Sequence, residues 1–150
     1  MRNLTIAAFG LCALLLSACV NGPTLPQIQQ TGATLTSIVK TDVALYTAQH
    51  PLNAADQTKL ATALNTLTAA NVVLQSLTPT SFSSVTGDIG VAENVVAAAV
   101  SVVNALPSGT LPDGTVDEIN AAALAFQLSA GLAQQIIVAA APVVVPPGSI

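Results

Sequence analysis

The sequence predicts an all-α protein, a small up-and-down helical bundle of about four helices. Three observations carry this expectation. Prolines fall at useful intervals (Pro23 and Pro26, Pro51, Pro79, Pro107 and Pro112, Pro142, Pro146 and Pro147), leaving four stretches of helical length. A proline inside a helix removes a hydrogen bond and clashes with the previous turn at a cost of about 3 kcal/mol, so each belongs at a boundary. Within the four stretches apolar side chains recur every three or four residues. The chain of 150 residues is 52% hydrophobic and only 7% charged, which supplies one buried core. With three Phe, one Tyr and no Trp, that core must be built from Ala, Val, Leu and Ile, packing helix backbones close together.

The first helix is expected near 26–49, where Ile28, Leu35, Ile38, Val39, Val43, Leu45 and Tyr46 are helically spaced between threonines. The second, near 54–77, has Asn53 as its N-cap with Asp56 three residues later. Leu60, Leu64, Leu67, Asn71 and Leu74 form its seam, with 4-3-4-3 spacing. Asn71 is either a buried polar residue that fixes register or a rim residue on a slightly rotated seam. The third, near 84–106, keeps the alternation through Val85, Ile89, Ala92, Val96, Ala99, Val103 and Leu106; its valines favour strands, but the run is too long for one. The fourth opens on Thr115-Val116-Asp117-Glu118, the pattern of a capping box. From Ile119 to Ala141 it is apolar around most of its circumference, which suits a central position or an apolar neighbour. The short connections at 50–53, 78–83 and 107–114 favour antiparallel neighbours. The segment PVVVPPGSI from Pro142 cannot continue the helix and is expected as an extended arm.

Ahead of the bundle, Arg2 precedes an apolar run from Leu4 to Leu16. This is the charged and apolar arrangement of an export signal, and the run is short of the roughly 20 residues that cross a bilayer. The residues that follow, Leu16-Ser17-Ala18-Cys19, resemble the lipobox of bacterial lipoproteins, in which an aliphatic residue and two small ones precede an obligatory cysteine. The resemblance covers only about the first twenty residues. It implies a diacylglyceryl group on Cys19, cleavage between Ala18 and Cys19, and acylation of the new amine. Two or more acyl chains hold a protein stably at a bilayer, so the modified cysteine would suffice as an anchor. An ordinary secretion signal and an uncleaved anchor are the competing readings. In Gram-negative lipoproteins an aspartate after the cysteine marks inner-membrane retention. Val20 stands there, so the resemblance implies the outer membrane. The expected organisation is a signal peptide at 1–18, a lipidated tether at 19–26, a helical domain at 27–141 and a Pro/Val-rich tail at 142–150. Cys12 would leave with the signal, so no intramolecular disulfide is expected.

Removing Arg2 with the signal leaves Lys40 and Lys59 against seven carboxylates, a net charge of −5. Nucleic acid is excluded as a partner, because two isolated lysines cannot track a phosphate backbone. An anionic lipid surface would repel the domain, so attachment to the bilayer must come from the acyl chains on Cys19. His50, the only histidine, has no second histidine, free cysteine or flanking carboxylate pair, and reads as the C-terminal residue of the first helix. Asp113, Asp117 and Glu118 lack the alternating ligands of a calcium loop and fit turn and helix-start duties, as do Asp88 and Glu93. Gly87 and Gly90, in GDIG, lack the remaining parts of a phosphate-binding loop. No nucleophile-elbow, zinc-protease or dithiol motif occurs.

No catalytic residue, metal ligand, cofactor or small-molecule substrate is therefore expected. The functional expectation is a non-enzymatic envelope lipoprotein with a helical interaction or structural domain, whose partner is another envelope protein or a second copy of itself. The alternative is a membrane-active component of a lysis or pore-forming system, motivated by the apolar run 119–145.

Overall fold

The computed structural model describes residues 23–78, 88–107 and 111–140, with 88, 89, 113 and 134–140 described by their backbone alone. Four helices make up the described residues: α1 (Leu25–Gln49), α2 (Ala54–Ser76), α3 (Asp88–Asn104) and α4 (Asp113–Ala140). Their order around the bundle follows the chain, since α1 packs on α2, α2 on α3, α3 on α4, and α4 returns to α1. The up-and-down direction is visible in side-chain contacts. Gln29, near the start of α1, donates its amide to the carbonyls of Leu74, Gln75 and Leu77 at 3.1, 3.2 and 3.0 Å, at the end of α2. Gln75 Nε2 donates in return to Gln29 O at 2.8 Å. The last carbonyls of a helix have no partner within it, and Gln29 satisfies them from the neighbouring element. α1 and α4 are antiparallel too: Gly32 lies against Phe126 and, ten residues on, Asp42 acts on Glu118.

α1 begins inside the expected tether. Thr24 is its N-cap, in extended conformation, and Gln27 reaches back so that its Oε1 accepts from Thr24 N at 2.7 Å and from Thr24 Oγ1 at 3.1 Å. Pro26 falls in the first turn, where no backbone donor is needed. The threonines that interrupt the apolar pattern do not break the helix. Thr31, Thr34, Thr36 and Thr47 each donate to the carbonyl four residues back at 2.8–2.9 Å, which lets Thr31 and Thr36 be buried. Leu35, Val39 and Val43 are inside as expected, whereas Leu45 is 60% exposed.

α2 starts as expected: Asn53 Oδ1 accepts from Asp56 N at 2.9 Å. Leu60, Leu67 and Leu74 are buried on its seam, with Leu64 partly so. Asn71 lies at the rim, partly buried and accepting from Gln75 of its own helix at 3.4 Å. In α3 the buried seam is rotated from the expected one. Val95 and Val102 are at 0% exposure, while Val96 and Val103 only flank the core. Residues 92, 95, 99, 102 and 106 share one face by 3-4-3-4 spacing, so both registers are helical and packing chose between them.

The expected capping box at Thr115 is not the start of α4. The helix opens two residues earlier, at Asp113, and Thr115 N and Val116 N both donate to Pro112 O, at 2.9 and 3.2 Å. Thr115 is thus an interior residue of the first turn. Of the two positions expected for α4, central or against an apolar neighbour, the central one is excluded. Ile119, Ala122, Ala123, Phe126, Ala130 and Ala133 are buried, but Leu124, Leu128 and Leu132 are 56, 57 and 48% exposed on the opposite side. The arm expected from Pro142, Cys19, the signal segment, Gly87 and the start expected for the third helix all lie outside the described residues.

Candidate functional site

Among the described residues, two acidic side chains, Asp42 of α1 and Glu118 of α4, lie within electrostatic range of each other. His50 ends α1: its backbone N–H donates to Tyr46 O at 2.9 Å, and its ring stacks on Tyr46 with centroids 4.3 Å apart and planes 9° from parallel. Its Nδ1 is 3.3 Å from the same carbonyl, so the imidazole is held by its own helix end and is not aimed into a cleft.

Among the acids of α4, Asp117 is exposed, whereas Glu118 is partly buried. Glu118 feels the negative charge of Asp42 on α1, a residue that carries no local motif. Asp42 Oδ2 is shut off from solvent and has no hydrogen-bond partner among the described residues. Burial raises the Asp42 carboxyl above its ordinary range. Glu118 is raised as well, first by burial and then by the negative charge of Asp42. Burial therefore makes the ionised form of each carboxyl less favourable than it is in water. Among the described residues there is no group of three or more His, Cys, Asp or Glu that could hold a metal ion.

Among the described residues, two grooves mark the surface. One, of about 400 Å³ between α2 and α3, is lined by Ala69, Ala70, Val73, Val91, Ala97 and Ala98, with Thr66, Asn94 and Ser101 as its polar groups. The other, of about 370 Å³ at the α1–α2 turn, is lined by Thr47, Pro51, Leu52, Gln57, Leu60, Ala61 and Leu64. Neither lining includes a titratable side chain, so neither offers a nucleophile with an adjacent base or an acid and base pair.

The remaining feature is the outer side of α4. Leu124, Leu128 and Leu132 stand four residues apart and form one exposed row. No Asp, Glu, Lys or Arg occurs from Ile119 to Ala140. Among the described residues no helix is long and apolar enough to cross a membrane. No protein-family model matches the chain, and no curated protein or solved structure is detectably similar to it.

Proposed function

We propose that the protein is a bacterial envelope lipoprotein, held to a membrane through acylated Cys19, whose helical bundle is a non-enzymatic interaction or structural module. The observation that carries this reading is the run Leu16-Ser17-Ala18-Cys19 behind an export-signal segment, followed after a few residues by the first helix of a packed domain. A thiol in that setting is a lipid acceptor, and a tether of five residues between Cys19 and Leu25 holds the bundle close to the lipid surface.

The rest of the reading follows from what the bundle offers a partner. Its grooves are lined by small apolar and uncharged polar groups, its outer α4 face is apolar, and its two lysines, Lys40 and Lys59, give no basic patch. Such a surface suits contact with another protein of the envelope better than with a charged polymer or a reacting substrate. With Val20 after the cysteine, the outer membrane is the proposed location in a Gram-negative cell.

Fractionation of cells making the natural chain and Cys19→Ala tests the anchor. The natural chain should sediment with membranes and dissolve only in detergent, and the variant should be released or remain as an unprocessed precursor. Equal membrane retention of a fully processed Cys19→Ala product would overturn the proposal.

A further inference from the structure

We infer that the last two turns of α4 form a second lipid contact, entering the head-group layer of the bilayer that holds Cys19; the inference rests on the lipoprotein reading. The contact arises from helix register. Gly32 of α1, Leu74 of α2 and Phe126 of α4 meet at one level of the bundle. From that level toward the tether, α1 continues seven residues to Leu25 and α2 only two residues to Ser76. α3 opens at Asp88, three residues before Val91, which lines a groove with Val73. α4 runs fourteen residues past Phe126 to Ala140, so at about 1.5 Å per residue it outruns α1 by about 10 Å. Among the described residues it alone projects from that end, and the projecting turns contain Ile136, Ile137 and Val138.

The tether decides what the projecting end meets. Six Cα steps separate Cys19 from Leu25, so even a fully extended chain keeps the start of α1 within about 20 Å of the lipid attachment. α4 projects from the same end by about half that distance. The bilayer is therefore beside it in every anchored molecule, at a high effective concentration, whereas any other partner must first be encountered. The distribution of charge suits this placement. Antiparallel packing brings residues 25–39, 60–76 and 119–140 toward the tether end, and none of them is Asp, Glu, Lys or Arg. The charged side chains of α1, α2 and α4 lie toward the opposite end, and Asp88 and Glu93 of α3 are the exceptions near the lipid. An approach by the uncharged ends of three helices thus strips water from few charges. Interfacial helices bury their apolar residues about 5–10 Å into the boundary of head groups and acyl chains, a depth that the projection matches.

Nitroxide labelling of the full chain, purified from bacterial membranes and reconstituted in vesicles of phosphatidylethanolamine and phosphatidylglycerol, tests this. Val138→Cys is compared with Leu128→Cys, ten residues earlier on the same helix and exposed, and with Ala55→Cys, exposed at the start of α2. In the acylated protein Cys19 is blocked and Cys12 removed, so the introduced thiol is the one labelled. At Val138 collisions with oxygen, which concentrates in lipid, should exceed those with a water-soluble nickel chelate; at Leu128 and Ala55 the order should reverse. A chelate-accessible label at Val138 would overturn the inference, as would protection from both agents, which means that protein covers the end. Lipid exposure at Val138 and Leu128 alike would show α4 lying flat on the bilayer and would overturn the end-on contact. The mass of the same preparation reads the anchor separately: an acylated chain whose Val138 label stays in water leaves the lipoprotein reading standing, and a chain without the acyl groups overturns both.

Discussion

Gly32 and Leu74 compete for one volume inside the bundle, near the start of α1 and the end of α2. A Cβ built on Gly32 would overlap Leu74 Cδ2 and would stand 3.3 Å from two carbons of the Phe126 ring. Gly32, Leu74 and Phe126 are all buried, so α1, α2 and α4 meet at a point where only a hydrogen fits. The closeness follows from the composition: a core with few aromatic residues fills space by bringing backbones together.

Gly32→Ala should therefore lower stability even though alanine is the better helix former by about 1 kcal/mol. Overpacking at a site this crowded costs about 1–3 kcal/mol, and the two effects oppose each other. Gly131→Ala, at a position with open space, should instead stabilise by up to about 1 kcal/mol. Chemical denaturation of the two variants checks the opposite signs. A double-mutant cycle between Gly32→Ala and Leu74→Ala should show coupling of about 1 kcal/mol or more, because trimming Leu74 makes room for the new methyl.

Asp42 and Glu118 predict an acid-favoured fold. Both carboxyls are raised above their ordinary values of 3.8 and 4.5, so folding prefers their protonated forms. That contribution is fully present below the ordinary values and is lost as pH rises through the raised ones. Asp42→Asn keeps the shape and removes both the buried charge and its repulsion of Glu118. The melting temperature of the variant should exceed that of the natural chain at pH 7, with the gap closing toward pH 4. A gap independent of pH would show that the carboxyl charge is not its origin.

Asn53 and Thr115 separate a cap that the structure contains from one that only the sequence suggests. Asn53→Ala removes the acceptor for Asp56 N and should cost about 1 kcal/mol. Thr115→Ala falls inside the first turn of α4, where alanine is the better helix former, and should change stability by less than about 0.5 kcal/mol in either direction. Thermal unfolding of both variants decides the point.

The helices were legible because prolines and helical spacing act locally. The proline-bounded stretches became α1 to α4, and Asn53 capped α2 as its position suggested. Choices made by tertiary packing were less legible. Val95 and Val96 are the same residue type one position apart, and only the neighbouring helices make Val95 the buried one. The capping-box pattern misled at α4: Pro112 stands at the boundary, as expected of a proline, and supplies the first carbonyl acceptor, so the helix starts ahead of Thr115. Asp42 was invisible because it carries no local motif and because Glu118, on which its charge acts, lies more than 70 residues away in the chain. The exposed leucines were legible as apolar but not as outward-facing, since α4 is apolar on both sides and periodicity then gives no direction.

The most direct test of the proposed role is the intact mass of the protein purified from bacterial membranes in detergent. The account predicts a chain beginning at Cys19 and heavier than residues 19–150 by a diacylglyceryl group, with a further acyl chain where the new amine is modified. Cys19→Ala should lose the added mass. A chain that carries the mass of its amino acids alone, cut elsewhere or not at all, would contradict it.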